Sequence, residues 1–178
     1  MKDAIAWFEI PVKDFTRAQK FYSALLNEEM PTMKIPMFED KGEVLCDSGL
    51  IAQYLHDKLD IPALSYHDLN IIKIIDAITD SYIQLFLLSH SGFDTNESKM
   101  YFNLQRERIE RSFTFLENLI TTGMITSSNW NYMTISLVTS IEWLMVRQLH
   151  DFSDLPALSG FYNELKLRDD MVSTQIPV

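Results

Sequence analysis

The chain is short of cysteine, of positive charge and of glycine, and each shortage closes off a class of protein. A single cysteine, Cys46, excludes an internal disulfide and suits a reducing compartment, so the cytosol is the expected address. Against 25 Asp and Glu there are only 15 Lys and Arg, for a formal net charge of -10. A surface of that sign repels nucleic acid and anionic membranes, and neither is expected as a partner. Nowhere do roughly 18 apolar residues run without a charge, so no spanning helix is expected. The opening Met1-Lys2-Asp3-Ala4 puts an acid where a secretory signal would be basic. With 5 glycines in all, neither a Gly-rich phosphate loop nor a nucleophile elbow occurs. The histidines His56, His67, His90 and His150 show no ligand spacing, and no metal is expected. What remains, 47% hydrophobic and 22% charged, is ordinary globular composition.

The character of the chain changes once. Residues 4–12, AIAWFEIPV, read as a buried strand, and Asp14 caps a helical stretch with Phe15, Ala18, Phe21, Tyr22 and Leu25 on one face. After an irregular segment holding Pro31 and Pro36, short strands are expected around 36–39 and 43–46, parted by turn chemistry at Asp40-Lys41-Gly42. A helix starts near Asp47 or Ser48, and Pro62 marks a linker beyond its end. From there four segments carry helical period. Their stripes are Leu69, Ile72, Ile75, Ile78, Tyr82, Leu85 and Phe86; Leu104, Ile109, Phe113, Leu116 and Ile120; Ile135, Val138, Ile141, Leu144 and Met145; and Leu158, Phe161, Tyr162 and Leu165. The first of these helices is apolar on more than one face and is expected to be central.

Three stretches resemble the glutathione transferase family, in that family's order. KIPMFEDKGEVLCDSGLIAQYL, 34–55, resembles the end of its thioredoxin-like domain, with a strand opening on a cis-proline, a hairpin and a helix introduced by Asp-Ser. QRERIERSFTFLENLI, 105–120, resembles the second long helix of its helical domain. The stretch from Asn131 through PALSGFYNELKLRDDMVSTQIP resembles its buried core helix and C-terminal helix. The opening is different: IAWFEIPVKDFTRAQKFY resembles the first strand and helix of the vicinal oxygen chelate family. Together these imply a chimera, mainly α, with a glutathione transferase-like helical bundle at 63–178. An abbreviated α/β unit, a thioredoxin-like remnant, precedes it at 1–60.

The resemblance carries site residues with it. Ile35 and Pro36 match the pair at the cis-proline, whose backbone meets the cysteinyl part of glutathione; the plainer reading is a trans-proline opening a strand. Asp47 and Ser48 match the pair that holds the γ-glutamyl end, although either residue also suits a simple helix cap. Tyr101 and Arg108 match positions bordering the hydrophobic-substrate site, against the ordinary reading of a solvated helix face. Asn131 and Thr134 match a capping box with a folding role. No activating residue is evident. Thr16 is the one hydroxyl in the first turn of the first helix, and the family's Ser-Pro or Cys-Pro is missing there. The chelate family's first-strand histidine is replaced by Trp7, which leaves Glu9 alone and argues against a metal enzyme. Cys46 is expected to be buried rather than reactive.

The resemblance therefore implies a cytoplasmic, homodimeric glutathione S-transferase-like protein. It would take glutathione and a hydrophobic electrophile as substrates, with conjugation weak or lost. The alternative is a non-catalytic scaffold of the same fold.

Overall fold

The structure, a computed structural model, describes residues 36–174. The expected strand at 4–12, the helix after Asp14, and the residues Trp7, Glu9, Thr16 and Ile35 lie outside the described residues. Those described form two compact units that divide between Ala63 and Leu64.

The smaller unit is a hairpin followed by a helix. Strand β1, Met37–Asp40, pairs antiparallel with β2, Glu43–Cys46, in the register Met37↔Cys46 to Asp40↔Glu43. Asp40 stays in the strand, so the turn is two residues rather than three. Lys41 and Gly42 both take positive φ, 54° and 85°, the pattern whose twist matches a hairpin, and glycine accepts it without steric cost. Helix α1, Ser48–Lys58, buries Ile51 while β2 buries Leu45. The helix is tied to the hairpin at Asp40, which accepts hydrogen bonds from the Tyr54 hydroxyl and from Lys58 Nζ at 2.6 Å. Lys58 first, and then Tyr54, hold that carboxyl below the ordinary carboxylate range.

The larger unit is a helical bundle. It comprises α2 Tyr66–His90, α3 Met100–Thr121, α4 Tyr132–Val146, α5 Pro156–Leu165 and the short α6 Asp169–Ser173. Helix α2 packs on α3 and α4, and α5 packs on α3 and α4. The deepest element is α4 and not, as expected, the first long helix. Seven of the 15 residues of α4 are buried, against five of the 25 of α2. Apolar residues surround α2, but its neighbours cover one face, leaving Leu69, Ile83 and Leu87 exposed. In the same way Leu104 and Met145 drop out of their expected stripes to the surface, while Phe102, Met133 and Leu137 take core positions. The fourth stripe holds, with Leu158, Phe161 and Leu165 buried and Tyr162 packed beside them.

Two polar devices lock the bundle. Helix α5 begins on Pro156, with no side-chain cap of its own. The carboxylate of Glu117 on α3 supplies one, accepting from Ala157 N at 2.7 Å and Leu158 N at 2.8 Å. Beyond α4, Gln148 takes φ 54° and folds the chain back, which brings His150 among aromatic rings. His150 Nδ1 lies 2.6 Å from the Tyr82 hydroxyl on α2. Its ring stacks on Phe113 of α3 at 4.6 Å and meets Phe152 edge-on at 4.6 Å. Its Nε2 is buried without a hydrogen-bond partner among the described residues.

Glu117→Ala should therefore destabilise the protein by about 2 kcal/mol, because two buried-side N–H groups lose a charged acceptor. Chemical denaturation of the two proteins measures this, and Glu117→Gln should recover part of the loss. Burial lowers the His150 pKa from its ordinary 6.5, opposed by Asp151. Between the folded and unfolded values the unfolded chain takes up a proton that the folded chain refuses. The stability present above pH 6.5 should therefore be lost as pH falls below it, and the thermal midpoint should decline more steeply for the wild type than for His150→Phe.

Candidate functional site

The sequence-expected residues of the smaller unit meet at the open end of its hairpin. One step beyond the Met37↔Cys46 pair, Asp47 N donates to the carbonyl of Pro36 at 3.5 Å, so Pro36, Asp47 and Ser48 are brought together. The chain must pass from β2 into α1 at a single residue. Asp47 takes up the turn with φ 117° and ψ 128°, a conformation that L residues rarely adopt. Such a backbone costs on the order of 1–3 kcal/mol and persists only where its surroundings impose it. Part of the compensation is local. Asp47 Oδ1 accepts from Gly49 N at 2.9 Å and Leu50 N at 3.1 Å, two of the unpaired donors of the first turn. Gly49 makes room for this, since a Cβ there would stand 3.1 Å from the same oxygen.

This arrangement separates two roles that the sequence left open. Asp47 is the cap and Ser48 is the first helical residue. Asp47 Oδ2 and the Ser48 hydroxyl make no hydrogen bond among the described residues, and both side chains are exposed. The junction thus presents an anionic acceptor beside a hydroxyl donor and a helix N-terminus. Cys46, next to it, is half-buried rather than fully buried.

Tyr101 and Arg108 lie seven residues apart on α3, and so share one face of that helix. Tyr101 is exposed, whereas Arg108 is half-buried. Arg108 Nη1 donates to Gln105 Oε1 at 2.8 Å and to Ser81 Oγ of α2 at 3.3 Å. Sequence reasoning missed these partners. The available signal was Ser81 continuing the helical stripe of Ile71, Ile75 and Ile78, and Gln105 one turn before Arg108 on the buried side. Among the described residues, no three His, Cys, Asp or Glu side chains converge as a metal site would require. No described helix is long and apolar enough to cross a membrane.

Residues 4–57 match the family described as glutathione S-transferase, N-terminal domain. The match begins in the opening segment that resembles the vicinal oxygen chelate family. The uncharacterized GST-like protein YibF of Escherichia coli K12 is 26% identical over 156 residues, 83% of this chain and 77% of its own length. A glutathione transferase family member from Pseudomonas fluorescens Pf-5, crystallised with bound glutathione, is similar in structure with a TM-score of 0.72. It shares 28% identity over 87% of this chain and 80% of that one. A glutathione S-transferase from Methylobacillus flagellatus with glutathione bound, 17% identical over 83% of this chain and 78% of that one, has the same fold with a TM-score of 0.68.

If capping is what Asp47 does for the fold, Asp47→Ala should cost about 1 kcal/mol and Asp47→Asn only a few tenths, because asparagine caps comparably and tolerates positive φ. Urea denaturation followed by circular dichroism measures both.

Proposed function

We propose that this glutathione transferase-like chain binds glutathione, with the γ-glutamyl end of the tripeptide at the junction of β2 and α1. The observation that carries the reading is the pairing of a spare carboxylate oxygen on Asp47 with the hydroxyl and N–H of Ser48. A γ-glutamyl group ends in an ammonium and a carboxylate on one carbon. Asp47 Oδ2 answers the ammonium, while the Ser48 donors and the positive end of α1 answer the carboxylate. Ile35 and Pro36 would then run beside the cysteinyl part in the manner of an added strand. A relative crystallised with glutathione supports the choice of ligand.

The division of the chain into units at 1–60 and 63–178 fits this reading, the first serving glutathione and the second the electrophile. The family match from residue 4 favours one N-terminal domain over a graft from another family. Homodimeric assembly and a cytosolic address belong to the same proposal, supported by the exposed apolar face of α2 and by the single cysteine.

In the conjugation reaction, the thiol proton passes to solvent and sulfur bonds to the electrophilic carbon. The leaving group departs with the electron pair of its own bond. A group that lowers the thiol pKa accelerates this step, and none is evident in the sequence, where Thr16 stands in place of the family's Ser-Pro or Cys-Pro. We therefore expect conjugation to be slow.

Calorimetric titration with glutathione is the test. Wild type should bind, Ser48→Ala should bind about tenfold more weakly, and Asp47→Asn should lose a similar factor while keeping its stability. Absence of binding at millimolar glutathione would sink the proposal. Binding without turnover of a chlorodinitrobenzene would leave a glutathione-binding module without conjugation activity.

A further inference from the structure

The segment QRERIER on α3 holds three arginines whose positive charges are treated differently. Arg106 donates to the backbone carbonyls of Thr95 and Glu97 and to Asn103 Oδ1, and so closes the loop ahead of α3. Arg111 pairs with Glu107 at 2.5 Å on the exposed surface. Arg108, like Arg106, is held by neutral groups, but its holders are side chains buried between α2 and α3. Its Nη1 donates to Gln105 Oε1 and Ser81 Oγ, and no carboxylate pairs with it among the described residues.

The holders are themselves unusual. Gln105 is 3% exposed and Ser81 fully buried, in an interface otherwise built from isoleucine, phenylalanine and leucine. Ser81 already donates to the Ala77 carbonyl at 2.8 Å, so its oxygen is left to accept from the guanidinium. A guanidinium carries five N–H donors, two of them on Nη1. With both Nη1 hydrogens engaged, Nε and Nη2 remain. They form the edge that meets a carboxylate with two parallel hydrogen bonds. That edge is fixed in place by buried partners, which removes much of the entropy cost of binding an anion.

Along the same face of α3, Tyr101 and Leu104 precede Arg108 at helical spacing, 41% and 48% exposed. Tyr101 and Arg108 are about 10 Å apart along the axis, two helical turns. The face is an apolar strip that ends in a cation paired with no carboxylate among the described residues, on a chain whose net charge is -10.

We infer that this face binds small organic carboxylates, with an aryl or alkyl body on Tyr101 and Leu104 and the carboxylate on the Nε–Nη2 edge of Arg108. The inference deepens the proposed function, on which it rests for the ligand's role: the electrophile is an acid. Gln105 and Ser81 are positioning residues that act through Arg108.

The test needs no glutathione and no turnover. The probes are 3,5-dinitrobenzoate and 1,3-dinitrobenzene, which share a ring and differ in the carboxylate, each titrated into the full chain by calorimetry. Wild type should prefer the benzoate by about tenfold or more. Arg108→Gln should bind the two probes alike, with affinity for the neutral probe unchanged. Arg108→Lys should retain a small preference, since it keeps the charge but lacks the fork, and it serves as the second variant should the first misfold. Gln105→Met should erode the preference without touching neutral binding. Equal binding of the two probes by wild type, no binding of the benzoate, or a preference that survives Arg108→Gln would each overturn the inference. If glutathione fails to bind while the carboxylate preference holds, the face is a carboxylate site and the role given to it falls.

Discussion

A helix at the centre of a bundle has no water to satisfy its first turn, and the larger unit is organised around the answer to that constraint. Helix α4 sinks seven of its residues, among them Leu137, Val138, Ile141 and Leu144. It can do so because its N-terminus is closed internally. Asn131 Oδ1 accepts from Thr134 N at 3.1 Å, and Asn131 N donates to Thr134 Oγ1 at 2.9 Å, with Thr134 fully buried. Buried backbone donors left unpaired would each cost roughly 1–3 kcal/mol. With them satisfied, α4 becomes the apolar post on which α2 and α5 pack.

The same rule, that every buried polar group must find a partner, places the chemistry at the margins of this framework. In the smaller unit Asp47, at the surface, takes an uncommon conformation as it caps α1. In doing so it leaves one carboxylate oxygen and one hydroxyl facing outward. In the larger unit the rule draws Ser81 and Gln105 inward, where they fix a guanidinium. Glu142 is buried on α4, and burial pushes its carboxyl pKa upward.

Much of this was legible in the residues, for identifiable reasons. The hairpin announced itself through Asp40-Lys41-Gly42, the small helix through Asp47-Ser48, and the α4 cap through Asn131 and Thr134, because each signal is local and stereochemical. Periodicity located all the long helices but misjudged their faces. Leu69, Leu104 and Met145 fit their stripes and yet stand exposed. A stripe says which residues are able to face a partner, whereas coverage depends on how many partners there are. Contacts between residues distant in sequence were invisible for the same reason. Nothing near Glu117 points forty residues ahead to α5, and nothing near His150 points back to Tyr82. The choice between Asp47 and Ser48 as cap was undecidable from composition, since both residue types cap well. Backbone geometry settled it.

The borrowed cap on α5 also orders events in time. A ten-residue helix is too short to persist by itself in water, and α5 has no side-chain cap of its own to start from. Its first turn is closed by a carboxylate that comes into reach only once α3 has formed and turned its Glu117 inward. Nucleation of α5 is thus conditional on the earlier helix, and this helix assembles upon a template rather than as an independent seed. Helix α6 follows α5 directly, anchored where Arg168 lies 4.0 Å over the Trp130 ring and pairs with Asp170. It inherits that dependence.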